Sequence, residues 1–122
     1  SMERKAFTVA LTTMLGERLS PGRIAALYAA KAYYGRNCYG HVDAVFGLTR
    51  KTPQTADDAV WLALAALPRS PSLYLRNRSA LRIRVKTIID EMHSSNSITE
   101  QTAQRLENLP IANLSVGKGC SN

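Results

Sequence analysis

The chain has 122 residues, 45% of them hydrophobic and 20% charged. That is one domain or part of one, with room for a single core, and it excludes collagen-like, disordered and disulfide-rich classes. Sixteen Lys and Arg against nine Asp and Glu leave a net charge of +7, and eleven of the sixteen are arginine, the side chain shaped to grip phosphate in a fork. Nucleic acid, an anionic membrane surface and a phosphorylated small molecule all fit that charge.

The pattern is helical almost throughout. Phe7, Leu11, Met14 and Leu15 recur at helical spacing between Arg4 and Leu19. Ser20-Pro21 restarts a helix, with serine as N-cap and proline at the first helical position. That second helix runs from Gly22 to about Tyr33. Residues 33–40, Y-Y-G-R-N-C-Y-G, are bracketed by glycines and read as a turn. His41 to Leu48 forms a short helix. Thr55 caps a further helix over Ala56 to Leu67, with Asp57 and Asp58 as dipole partners in its first turn. Arg69 to Tyr74 reads as an extended Pro/Ser loop.

A long helix follows from Ser79 to about His93, with Leu81, Val85, Ile88, Ile89 and Met92 on one face. Thr99 and Glu100 start a last short helix ending near Asn108. β-branched alternation is nearly missing, so the fold class is mainly α. Residues 1–110 form the helical domain and 111–122 a flexible tail ending G-K-G-C-S-N. Cys120 lies in that tail, so Cys38 and Cys120 are expected as two free thiols. Ser1-Met2 reads as a scar ahead of a start. The longest apolar run, Ala59 to Pro68, falls short of the ~20 residues that span a bilayer, so the chain reads as soluble.

The catalytic inventory is thin. His41 and His93 have no Cys or His neighbour at metal-ligand spacing and read as surface histidines; no metal and no cofactor is expected. Neither G-x-S-x-G nor G-x-x-x-x-G-K-[ST] occurs. Arg76, Arg78, Arg82, Arg84 and Lys86 form a basic cluster, in which Arg78, Arg82 and Lys86 repeat at i, i+4 as a positive stripe along the long helix. A solvated face is its plain reading and phosphate contact its functional one. No interleaved aromatic residues support nucleic acid there, which makes that partner unlikely.

Three blocks occur in order: Ile24-x-x-Leu27-Tyr28, then Tyr33-Tyr34-Gly35-Arg36-x-x-Tyr39-Gly40, then Leu64-Ala65-x-Leu67-Pro68-x-x-Pro71-Ser72-x-Tyr74. Their combination resembles the bacterial peptidoglycan glycosyltransferases of family 51, the glycan-polymerising module of class A penicillin-binding proteins. The likeness spans about Arg4 to Ala103. It implies the head-lobe portion of an all-helical, lysozyme-like fold beside a membrane-touching small lobe. It also implies a place on the periplasmic side of the bacterial inner membrane, and a lipid-linked peptidoglycan precursor or glycan strand as ligand. Arg4-Lys5 matches an R-K pair near the substrate diphosphate, and Arg36 matches a basic position after Y-F-G. The resemblance thus puts forward Arg4, Lys5, Tyr34, Arg36, Tyr39 and Arg69 as substrate contacts. The residues themselves give a blander reading, in which Tyr28, Tyr33, Tyr34 and Tyr39 pack and Gly35 and Gly40 serve the turn.

The departures fall on carboxylates. The chain begins after the place of the family's E-D-x-x-F-x-x-H-x-G motif, which holds the glutamate base, and G-x-S-x-T-Q-Q is also missing. Thr8 stands at the glutamate of R-K-x-x-E, Ala26 at another glutamate, Ala30 at an asparagine and Val60 at a further glutamate. Threonine neither titrates near neutrality nor supplies fixed charge. The expectation is therefore a glycosyltransferase-like domain without catalytic residues. It would act by binding precursor, glycan, a protein partner or a second copy of itself, with an anionic membrane surface as a further partner. The alternatives are a fragment of an active polymerase, whose base lies upstream, and a basic nucleic-acid-binding domain.

Overall fold

The computed structural model describes residues 27–121. Residues 27–31 are helical, and five α-helices follow. They are α1 (His41–Thr49), α2 (Asp58–Ala66), α3 (Pro71–Arg76), α4 (Arg78–Ser94) and α5 (Glu100–Glu107), with a 3-10 turn, Leu67–Arg69, joining α2 to α3. Among the described residues the sole β pairing is an isolated antiparallel bridge between Tyr33 and Tyr39. The chain is mainly α, as its periodicity predicts.

Helix α2 is apolar on every side, the pattern of a helix that neighbours surround. Val60, Trp61, Leu62, Ala63, Leu64, Ala65 and Ala66 are all buried. Helices α1 and α4 pack on it. Helix α4 contributes Leu81, Val85, Ile88, Ile89 and Met92, the face its sequence spacing predicts. Its outer side is polar apart from Ile83, which is exposed.

Three boundaries differ from expectation. Asp57, not Thr55, caps α2, its carboxylate accepting the Val60 N–H at 3.1 Å. Thr55 instead closes a turn, accepting the Thr52 N–H at 2.9 Å. The Pro/Ser stretch over 69–74 is helical rather than extended: Pro71 sits at the start of α3, where its fixed φ is pre-organised and a missing N–H costs nothing. Asn77 opens α4, its side chain accepting from the Ala80 N–H at 3.0 Å. At α5 the expected cap holds, Thr99 accepting the Thr102 N–H at 3.1 Å.

The largest correction concerns the tail. Cys38 and Cys120 form a disulfide across 82 residues, with Cα atoms 5.0 Å apart, so the two thiols are not free. Residues 113–121 are not a loose end either, because Gly117 donates to the Leu48 carbonyl, Gly119 to Gly47 and Cys120 to Arg36, each at 2.9 Å. The glycines that look like low complexity are contact residues. A Cβ on Gly117 would run into the Gly47 carbonyl, and one on Gly47 would collide with the Cys120 sulfur and lie 2.7 Å from that of Cys38. Gly47, placed mid-helix in α1, gives the disulfide its seat.

Candidate functional site

The turn over 33–40 holds three of the six predicted site residues, Tyr34, Arg36 and Tyr39. It is closed by Tyr34 N–H to the Cys38 carbonyl and Cys38 N–H to the Gly35 carbonyl, both 2.9 Å. Gly35, Arg36, Asn37 and Gly40 all have positive φ, a run that two glycines and an asparagine make affordable. Gly35 is fixed twice over: beyond its φ of 94°, a Cβ there would strike Leu75 and sit 3.2 Å from Pro71. The Y-Y-G-R turn and the P-S-x-Y helix, separate blocks in the sequence, therefore meet face to face.

Alternate tyrosines of the turn part company. Tyr34 is fully buried, and its hydroxyl donates to the Ala29 carbonyl at 3.2 Å. Burial, with a smaller contribution from Tyr28, holds its phenol well above the usual range. Tyr34 packs and cannot touch a surface ligand, which corrects its place among the substrate contacts. Tyr33 and Tyr39 face outward, 41% and 65% exposed. Their rings lie 4.7 Å apart, tilted by 37°, and the Tyr33 hydroxyl accepts the Asn37 N–H at 3.3 Å. They do not pack inward as predicted; the bridge between them turns both side chains to the same outer face.

Arg36 spends its guanidinium inside the protein. Nη1 donates to the Leu114 carbonyl at 2.6 Å and Nη2 to the Leu75 carbonyl at 3.5 Å. It also lines an open cleft of about 400 Å³ with Gly35, Ser72, Leu75 and Arg76. Arg69 is exposed at the end of the 3-10 turn. Arg4, Lys5, Thr8 and Ala26 lie outside the described residues. Ala30 is exposed, and Val60 is buried in the core.

The basic cluster at the end of α3 and along α4 is partly absorbed by the fold. Arg78 donates to the Ile111 carbonyl at 2.6 Å, and Arg76 to the Ser72 carbonyl of its own helix at 3.0 Å. Lys86 pairs with Glu107 at 3.4 Å and Asp90 at 3.6 Å. Its hydrogen bond to Glu107, then the nearby Asp90 charge, raises its pKa. His93 is exposed, whereas His41 is half-buried, its ring centroid 6.2 Å from that of Trp61. Among the described residues no three His, Cys, Asp or Glu side chains group as metal ligands, and no helix is long and apolar enough to cross a membrane.

The arrangement offers an aromatic pair on the turn and a two-arginine cleft between the turn and α3. Aromatic faces take the C–H face of a sugar ring, and guanidinium forks take phosphate. Among the described residues that line the cleft there is no carboxylate to serve as a general base.

Comparison with known proteins agrees with the motif blocks. Residues 1–93 match the family described as transglycosylase. Penicillin-binding protein 1A of Rickettsia prowazekii is 28% identical over 113 residues, covering 91% of this chain and 14% of that protein. Penicillin-binding protein 1A of Neisseria gonorrhoeae is 31% identical over 100 residues, covering 80% of this chain and 12% of that protein. The chain thus spans about a seventh of the length of the relatives it matches. The crystal structure of penicillin-binding protein 1A from Haemophilus influenzae superposes with a TM-score of 0.75 at 19% identity, over 88% of this chain and 16% of that one. The order of its helices, the meeting of its motif blocks and the match over residues 1–93 lead to one conclusion: the chain belongs to the transglycosylase family, as a transglycosylase domain of the class A penicillin-binding protein kind.

Proposed function

We propose that this domain binds glycan or its lipid-linked precursor through the turn over 33–40 and does not itself polymerise it. The observation that carries the reading is the outward-facing Tyr33–Tyr39 pair. Stacking a pyranose on a fixed aromatic pair costs little conformational entropy, because the bridge already holds both rings. Thr8, Ala26, Ala30 and Val60 support the second half of the statement, each standing where the family pattern carries a polar side chain. Asp58, the one buried carboxylate among the described residues, lies on α2 and is paired with Arg105 at 2.9 Å.

The disulfide agrees with a periplasmic setting, since such bonds persist in oxidising compartments. Arg50 over the Phe46 ring at 5.0 Å, beside exposed Val42, makes a basic and apolar rim on α1 that suits a neighbouring anionic membrane surface.

Titration of the oxidised protein with uncross-linked glycan strands, followed by calorimetry, tests the proposal. Tyr39→Ala should weaken binding by about 10-fold, the loss of one good stacking contact. Wild-type affinity retained in both Tyr33→Ala and Tyr39→Ala removes the turn from the site.

A further inference from the structure

The tail occupies Arg36 in the way a ligand would. The Leu114 carbonyl oxygen sits 2.6 Å from Nη1, on a guanidinium that also lines the open cleft with Arg76. Backbone bonds to Arg36, Gly47 and Leu48 and the buried Leu114 side chain hold the tail in place, and the disulfide makes that hold covalent. Its two residues differ in exposure: Cys38 is fully buried, while Cys120 is half-buried near the end of the described residues.

We infer that the segment from Leu114 to Cys120 is a redox-locked strap, which withholds Arg36 from an anionic ligand while Cys38–Cys120 is oxidised and surrenders it on reduction. The ligand chemistry is a pyrophosphate group, either free or on a lipid. Two arginines and no carboxylate are among the described residues that line the cleft, and paired forks suit two adjacent phosphates. The inference rests on the reading of the 33–40 turn as a ligand-contacting surface, and concerns how that surface is regulated.

The reductant is a dithiol. Its thiolate attacks the sulfur of Cys120, the more exposed of the two residues, the S–S bond breaks and Cys38 leaves as a thiolate that takes up a proton. The reductant's second thiol then displaces Cys120 from the mixed disulfide. One dithiol becomes one disulfide, and the protein gains two thiols. Leu114 to Cys120 are then held by backbone bonds, one buried leucine and the Arg36–Leu114 bond itself, and local opening frees Arg36.

The test compares oxidised and dithiothreitol-treated full chain for binding of inorganic pyrophosphate. A second arm uses phosphatidylcholine vesicles with and without a polyprenyl diphosphate. Reduction should tighten binding at least 10-fold in one arm or both, and which arm gains tells a free from a lipid-borne ligand. Arg36→Gln should abolish the gain. Trp61 fluorescence reports whether the reduced chain stays folded, since that residue is fully buried. If reduction unfolds it, Gly117→Ala in the oxidised protein decides, because a Cβ there lifts the tail off Gly47 with the disulfide intact. A 10-fold gain in that variant supports the strap. Affinities within twofold in all states, or a gain that survives Arg36→Gln, overturn it. Glycan titration at Tyr39 uses the oxidised protein throughout, so failure of the strap and failure of the glycan reading are separate results.

Discussion

Arg105 reaches from α5 to the first turn of α2 and donates from Nη1 to Asp58 across 2.9 Å. It is the one ion pair among the described residues whose carboxylate is buried, the Asp58 side chain being 10% exposed and that of Arg105 50%. The pair ties the last helix to the central one over 47 residues. Arg105→Ala leaves the carboxylate without its partner. A fully buried pair broken this way costs 3–5 kcal/mol; half-exposure of the arginine reduces the expected loss to about 2 kcal/mol. Urea unfolding of Arg105→Ala and of Arg105→Ala/Asp58→Asn measures it, and the double variant should recover part of the loss.

Loop closure sets the value of the disulfide. Joining residues 82 apart removes enough unfolded-state entropy to stabilise the fold by about 4 kcal/mol. Cys38→Ser/Cys120→Ser should therefore unfold at clearly lower urea concentration than the oxidised chain, at an unchanged or larger slope. A midpoint equal to that of the oxidised chain would mean that the tail adds no constraint.

Gly47 is the seat of that bond. Gly47→Ala raises helix propensity by about 1 kcal/mol, so on α1 alone it should stabilise. Here the new methyl meets both sulfurs, and oxidative refolding should leave a large fraction of Cys38 and Cys120 as free thiols. Thiol titration after refolding reads this directly, against essentially none in the wild type.

Tyr34 gives the fold an alkaline limit. Its phenol is held above the ordinary value of 10.0 by burial first and by Tyr28 second. Above pH 10 the unfolded chain loses this proton and the folded chain keeps it. The stabilisation is therefore complete below pH 10 and declines as pH rises beyond it. Urea midpoints at pH 8 and pH 11 should show the fall. Tyr34→Phe should flatten it while losing about 1 kcal/mol at pH 8 with the hydrogen bond to Ala29.

Much of the fold is legible in the sequence, because helical periodicity and caps are local signals. The α4 face and the Thr99 cap follow from residues within one or two turns. Asp57 displaces Thr55 as cap: aspartate is the stronger N-cap of the two, and the Thr55 hydroxyl is engaged in the turn with Thr52. Pro71 ends an extended reading only once Gly35 supplies a surface for α3 to lie on. The tail escapes the sequence entirely: G-K-G-C looks mobile until α1 offers Gly47, a contact 70 residues away. The site follows the same rule. The motif blocks mark out the turn over 33–40, but which of Tyr33, Tyr34 and Tyr39 faces outward depends on the 33–39 bridge, and the engagement of Arg36 depends on Leu114.

The claim that this domain holds glycan without making it is tested most directly with labelled lipid-linked disaccharide and preformed glycan in one reaction. The oxidised chain should retain preformed glycan on an affinity matrix, lose that retention in Tyr39→Ala, and leave the labelled precursor unpolymerised. Labelled polymer formed by the chain, or glycan that passes through unretained, would contradict the account.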